Sequence, residues 1–563
     1  MRKIIALFLT LAMVVSLAAC ASPAEPAAPP PAASTPAAST PAASAPAAPA
    51  EPTPVYPIDT NVTLRYWLTL QSNWLPLAAN QGETEFGKEW VSRTGVNVEW
   101  IHPPQGGEQE AFTVLIASGN LPDVIEWNWV SDYPGGSTGA IQDRVILDLT
   151  DIIPEHSPAL NQYILDNPDV ARQMRNDDGR LFVYPFIRGH DMLKTTTGPV
   201  IRTDFLAQTG LALPETIQDW EELLMAFKAM GIEVPYTAQS TSAFPLDGVH
   251  RFTSAFDLRP DNNGLFIGLD GNLQYMYSHD NYREFIETMN RWHVNGLLDP
   301  EFLNTNRALM DSNMLSGRSA VAVAPGGGAV GPWIITGQAE DPNFDLVAAR
   351  FPSRDRNRYT SFGGTSHDFT EASRGMAAIT ATSQNVEIAA KVLDYNYTEE
   401  GHILVNFGIE GVSWNWGTGA QGQPSPVYDR KTIFEDPQFS IANMMSFYSR
   451  GNMNGPFIQD VEYIIQFYDL PQQKNALVEW TKQIDPASTL LPAVSLTPEE
   501  SATVQRIVSD LRTFAPEGAS RFIVGLDEIN DANWNQYVNT LNSMGVPQLI
   551  EIYTAGVARF NNR

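Results

Sequence analysis

Residues 61–67 (Asn-Val-Thr-Leu-Arg-Tyr-Trp) alternate polar and apolar positions with a period of two, which predicts a β-strand. Residues 86–94 change to helical spacing and stop at Gly95. Residues 96–101 predict a second strand, residues 108–118 a helix closed by Gly119, and residues 124–127 a short apolar strand. This β-α-β-α-β order with short turns is the pattern of a parallel sheet covered by helices. Ligands of such sheets gather beyond the carboxyl ends of the strands. Here those ends carry Trp67, Trp127 and Trp129.

Further along, residues 203–210 and 216–230 are amphipathic helical stretches, and residues 281–295 predict a helix ended by Gly296. Residues 319–324 predict a strand, and residues 383–400 a helix before Gly401. Thr497-Pro498-Glu499-Glu500 is a helix start, a capping box with proline at the first position. Val504, Ile507, Val508 and Leu511 supply that helix with an apolar face. A helix begins at Asp531 and stops at Gly545, and Pro547 opens the last one. The pattern predicts an α/β body with a helical C-terminal section.

The first 57 residues follow other rules. Arg2 and Lys3 precede an apolar run over residues 4–17, the layout of a secretory signal. The run is short for a permanent span, which needs roughly 20 apolar residues. It ends Ser16-Leu17-Ala18-Ala19-Cys20, which resembles the lipobox of bacterial lipoproteins, and Cys20 is the only cysteine. The resemblance implies cleavage before Cys20 and diacylglycerol on its thiol. Acyl chains contribute about 0.8 kcal/mol per buried methylene, so two or more hold a protein at a membrane. Residues 21–57 contain 12 of the 41 prolines among Ala, Ser and Thr. Such a segment buries almost nothing and extends as a polyproline tether, with a reach on the order of 100 Å.

Composition then narrows the function. Acidic residues outnumber basic ones 64 to 35, a formal charge of −29. That field repels phosphate backbones, so nucleic acid is excluded as a partner. A lone cysteine excludes disulfides and Cys-rich metal sites. The eight histidines show no H-E-x-x-H spacing, so neither a metal nor a cofactor is expected. Gly326-Gly-Gly328-Ala-Val-Gly331 matches G-x-G-x-x-G, but a dinucleotide site needs a helix at once, and Pro332-Trp333 is read as interrupting it.

Several segments together resemble the family 1 extracellular solute-binding lipoproteins of ATP-driven importers, in the large oligosaccharide-binding branch. They are Leu115-Ile-Ala-Ser-Gly-Asn-Leu-Pro-Asp-Val-Ile125, Asp178-Gly-Arg-Leu-Phe-Val-Tyr-Pro185, Ile201-Arg-Thr-Asp-Phe-Leu206 and Asn295-Gly-Leu-Leu-Asp-Pro-Glu-Phe302. Thr398-Glu-Glu-Gly401, Asn406-Phe-Gly-Ile-Glu-Gly-Val-Ser-Trp414, Phe522-Ile-Val-Gly525 and Asn533-Trp-Asn-Gln-Tyr-Val538 continue in family order. The resemblance implies a two-lobed, periplasmic-binding-protein-like α/β fold with hinge crossings, closing on ligand held between the lobes. It places crossings near 184–192, 325–332 and 363–377. The first lobe is expected to hold 58–187 with 320–372, the second 188–319 with 373–500, followed by a helical section over 501–563. Members of this branch often carry a calcium loop after the helix at 216–230. Lys228-Ala-Met-Gly-Ile-Glu-Val-Pro235 is too short and too poor in oxygen ligands, so no calcium is expected there.

Sugar rings present apolar C–H faces that stack on aromatic rings, while their hydroxyls need polar groups. Trp67, Trp127, Trp129, Trp333, Trp414 and Trp416 lie at strand ends or in Gly-rich loops and are the candidate stacking residues. Arg188 and Asp191 sit in the first crossing and His367 in a polar loop, each with a hinge or structural role as the alternative. The negative field disfavours acidic sugars unless cleft arginines offset it locally, so a neutral oligosaccharide is expected. The resemblance thus implies a non-enzymatic, monomeric binding lipoprotein. It would be anchored by lipid alone at the extracellular face of the cytoplasmic membrane, Gram-positive in type, and serve ABC permease subunits. A cell-surface enzyme acting on glycans, or a binding protein for peptides or another small solute, stays open.

Overall fold

The alternating run at the start of the body becomes strand Thr63–Trp67, which pairs in parallel with Asn97–Ile101 on one side and Val124–Trp127 on the other. The structure is a computed structural model and describes residues 55–241, 246–356, 369, 375–482, 490–492 and 494–563. Cys20 with the signal, the tether up to residue 54, and the loop of His367 lie outside the described residues. Local chemistry explains the first helices. The Thr84 hydroxyl accepts from Gly87 N at 2.9 Å to start helix Glu85–Thr94, and Gly95 ends it at φ 76°. Gly119, at φ 65°, closes helix Glu108–Ser118 in the same left-handed way. The fourth strand of this sheet, Met376–Ile379, comes from far along the chain and runs antiparallel to Val124–Trp127.

A second four-stranded sheet has the order Leu346–Ala348, Thr197–Arg202, Val321–Pro325, Tyr236–Thr237. Only its last pairing is parallel. Each sheet has its own buried apolar core. Among the described residues, passages between them run side by side. Strand Phe186–Arg188 pairs in parallel with Phe457–Gln459, and Phe369 bridges to Ile187.

This division corrects the predicted lobes. The prediction puts residues 320–372 with the first lobe, but Val321–Pro325 and Leu346–Ala348 both pair with Thr197–Arg202 in the second sheet. It puts residues 373–500 with the second lobe, but Met376–Ile379 and much of helices Val386–Asp394 and Glu399–Phe407 are buried in the first core. Short apolar strands fit either sheet, and periodicity carries no record of which one they join. The predicted crossing at 325–332 is a helical turn, Gly326–Val330, that leads into helix Gly331–Glu340. Pro332 sits in the first turn, where its missing N–H has no intrahelical partner to lose, so Pro332-Trp333 begins a helix instead of interrupting one.

The C-terminal helices Pro498–Ile523, Asp531–Ser543 and Val546–Asn561 are not a separate section. Val504, Ile507, Leu511, Trp534 and Leu549 enter the second core beside helix Asp280–Val294. Among the described residues, no helix is long and apolar enough to cross a membrane.

Candidate functional site

A cavity of about 210 Å³ opens beside the paired strands Phe186–Arg188 and Phe457–Gln459. Arg188 and Gln459, partners across the two-stranded crossing, both line it. Asn452, Met453 and Asn454 come from the segment just before Phe457–Gln459, and Pro325, Gly327 and Gly328 from the end of a second-sheet strand. Tyr463, Phe467 and Tyr468 come from helix Val461–Phe467 and the residue after it.

The sequence builds this arrangement locally. Asp460 caps the helix by accepting from Glu462 N at 2.8 Å, which turns the chain from the crossing strand straight into the aromatic helix. Burial pushes Asp460 up, yet the hydrogen bond from His402 at 3.0 Å holds it below the usual aspartate value. Spacing of four puts Tyr463 and Phe467 on one helix face, with near-parallel rings 6.3 Å apart. The Gly-rich run can approach them only because it lacks side chains. A Cβ at Gly326 would lie 2.7 Å from the Tyr468 ring, and one at Gly327 would lie 2.8 Å from Phe467. The motif that formally matched a dinucleotide loop is therefore cavity-lining backbone.

Arg188 Nη1 donates to Gln459 Oε1 at 2.6 Å, and Gln459 Nε2 donates to the Gly451 carbonyl. The guanidinium lies 5.1 Å from the Phe186 ring centroid. Burial lowers the Arg188 pKa, while the neighbouring Tyr463 and Tyr468 act in the opposite sense. Burial pushes Tyr463 up to about 12, against the pull of Arg188 and a hydrogen bond to Gln459. Near neutral pH its hydroxyl is protonated and able to donate. The cavity lining thus combines aromatic side chains, amides, two phenols and a cation, residue types that suit a polyhydroxylated ligand with apolar faces.

Most of the predicted tryptophans lie elsewhere. Trp67, Trp127 and Trp129 join Phe112 in one aromatic cluster of the first core, with Phe112 stacked on Trp127 at 4.6 Å and Trp67 edge-on at 5.3 Å. Trp333 is buried in the second lobe and donates to Asp311 Oδ1 at 2.7 Å. Trp414 is covered in a smaller cluster with Phe407 and Tyr428 and donates to the Gly408 carbonyl at 2.9 Å. In this conformation none of these five presents a ring face to solvent. Trp416, two residues on in the hairpin of Trp414–Thr418 and Pro424–Tyr428, is 55% exposed. That hairpin leans on the cavity helix, since Gln466 Oε1 accepts from Tyr428 N and Gln466 Nε2 donates to Pro426 O. Asp191 is exposed and pairs with Lys194 at 3.0 Å. Sequence reasoning missed Gln459, Tyr463, Phe467 and Tyr468; the aromatic cluster at 463–468 was the available signal, and it reads equally well as core.

The model of the family described as bacterial extracellular solute-binding protein matches residues 77–403. The chain is 21% identical over 519 residues to the fructooligosaccharide ABC transporter substrate-binding protein FusA of Streptococcus pneumoniae, covering 88% of this chain and 90% of that one. It is 22% identical over 478 residues to lipoprotein LipO of Bacillus subtilis, covering 81% and 85%. Its fold is similar to that of alginate-binding protein AlgQ2, with a TM-score of 0.67, 20% identity, and coverage of 89% of this chain and 99% of that one.

Proposed function

Because this chain belongs to the bacterial extracellular solute-binding proteins, we propose that it is the substrate-binding lipoprotein of an ABC importer for an extracellular oligosaccharide. The observation that carries the reading is the cavity beside the paired crossing strands, lined by aromatic, amide and hydroxyl-bearing residues. A relative over nearly the whole length, FusA, is named for fructooligosaccharide. In this reading the two α/β bodies are lobes that close on the sugar about the paired strands Phe186–Arg188 and Phe457–Gln459. Of the predicted contacts, Arg188 and Trp416 carry over, joined by Gln459, Tyr463, Phe467 and Tyr468.

Lipid on Cys20 holds the protein outside the cytoplasmic membrane, the Pro/Ala-rich tether gives it reach, and the closed monomer delivers ligand to permease subunits. Capture is reversible and no covalent step is part of it.

Thermal-shift and tryptophan-fluorescence titrations of the purified full-length protein against oligosaccharides and peptides test the proposal. The expected outcome is a rise in melting temperature with at least one oligosaccharide, and the same sugar recovered intact after incubation. Stabilisation by peptides alone would overturn the sugar assignment, and release of shorter sugars would favour the enzyme reading.

A further inference from the structure

Arg188 is a largely covered cation in this cavity with no acidic partner among the described residues. Among the described residues no carboxylate lies within ion-pair distance of it, and its one hydrogen bond runs from Nη1 to the neutral Gln459. Nε is buried without an acceptor. The acids nearest in sequence to its strand partner are already committed. Asp460 holds His402 and caps a helix, and Glu462 Oε1 accepts from Ala420 N and Gln423 Nε2 at 2.8 Å each. Glu126, at 2% exposure, is taken by Arg450.

A buried charge without a counter-ion is costly, and each buried donor left unmet adds its own desolvation. The fully buried arginines show the contrast: Arg450 and Arg202 each hold a carboxylate through two nitrogens. In Arg188, Gln459 fixes the head through Nη1, Nε is covered and meets no acceptor, and the side chain lines the cavity. A guanidinium is the side chain best suited to hold a carboxylate by charge-assisted hydrogen bonds.

We propose that the guanidinium of Arg188 is the subsite for a carboxylate of the ligand, so that the captured oligosaccharide is acidic, of the uronic-acid type. This rests on the oligosaccharide reading above and reverses its expected neutrality. The charge of −29 belongs to the molecule as a whole, whereas affinity at the crossing depends on charges within a few ångströms, where screening by solvent is weakest. The Tyr463 hydroxyl and the Asn452 and Asn454 amides add uncharged polar groups to the same wall.

Calorimetric titration of the full-length protein with galacturonic-acid oligomers, their fully methyl-esterified forms and neutral malto-oligomers tests this directly. The free acids are expected to bind about 10- to 100-fold more tightly than the esters, the range of charge-assisted hydrogen bonds. Arg188→Gln is expected to erase that difference and Arg188→Lys to keep part of it. If Arg188→Gln does not fold, phenylglyoxal modification of the wild type replaces it: the acid oligomer, and not its ester, should protect Arg188. Equal or tighter binding of esters or malto-oligomers by the wild type would overturn the carboxylate subsite and leave sugar capture standing. Binding of no saccharide at all would overturn both.

Discussion

Glu126 accepts both terminal nitrogens of Arg450 at 2.9 Å, and the Tyr66 hydroxyl donates to the same carboxylate at 2.7 Å. A buried ion pair contributes little net stability but tolerates few geometries. Its position gives it a use, because Arg450 Nη2 also donates to the carbonyl of Asn454, a cavity-lining residue. Burial and the nearby carboxylate push the Tyr66 phenol well above its ordinary value, so it stays a donor. Asp394 is a second buried acid, with a different consequence. It accepts from Ala159 N at 3.1 Å and Leu160 N at 2.8 Å, capping helix Pro158–Asp166 from another part of the chain. Burial raises it from 3.8 to about 6 despite those bonds. The folded state therefore binds a proton that the unfolded chain has lost. The stability this contributes is complete below pH 3.8 and is lost as pH rises through about 6. Relative to Asp394→Asn, which has no such titration, wild-type stability should fall by about 2–3 kcal/mol between pH 4 and 7. Urea unfolding of both proteins at each pH measures that difference. Asp394 could not be singled out from the sequence, where nothing distinguishes it among 64 acids.

Elements were legible where their ends are set by neighbouring residues. Gly95, Gly119 and Gly545 were predicted as stops and stand at φ 76°, 65° and 113°, a region that penalises any side chain. Thr497 and Glu500 form the reciprocal capping box, opening a helix of 26 residues. Gly401 was read the same way and is different. The predicted helix over 383–400 breaks after Asp394, and a new helix, Glu399–Phe407, starts under the Thr398 cap with Gly401 inside it. What requires glycine there is packing, since a Cβ would lie 1.7 Å from the Tyr395 carbonyl oxygen. Gly401→Ala, an ordinary helix-favouring change, should instead cost about 3 kcal/mol or more, because the fixed backbone of the preceding turn would have to move. Chemical denaturation measures the loss, and an unchanged midpoint would mean that the turn can relax. The same distinction holds for Gly326 and Gly327: the run was visible, but the rings it lies against come from far along the chain.

At the scale of the whole molecule, the last helix belongs to the second core yet reaches back to the first. Asp177, in the turn after first-lobe helix Pro168–Gln173, holds Arg559 and Arg563 at 2.5 Å each, and Arg559 also pairs with Glu500 at 2.7 Å. Arg563 is almost fully covered. Asp177→Asn leaves two arginines short of their acid and should lower stability by about 3 kcal/mol. A midpoint within error of wild type in guanidinium unfolding would count against a structural role for this cluster. The turn containing Asp177 was predicted from Asn176-Asp177-Asp178-Gly179, but its partners lie more than 380 positions away. Information carried between neighbours was enough for the first β-α-β-α-β unit, the helix caps and the family resemblance, because hydrogen bonding and side-chain periodicity act over a few residues. Folding alone assigned strands Val321–Pro325 and Met376–Ile379 to their sheets and buried five of the six candidate tryptophans. It also brought Arg188, Gln459 and Tyr463 to one cavity. Apolar surface is removed from water by whichever partner covers it, and that partner is set by the closure of the whole chain.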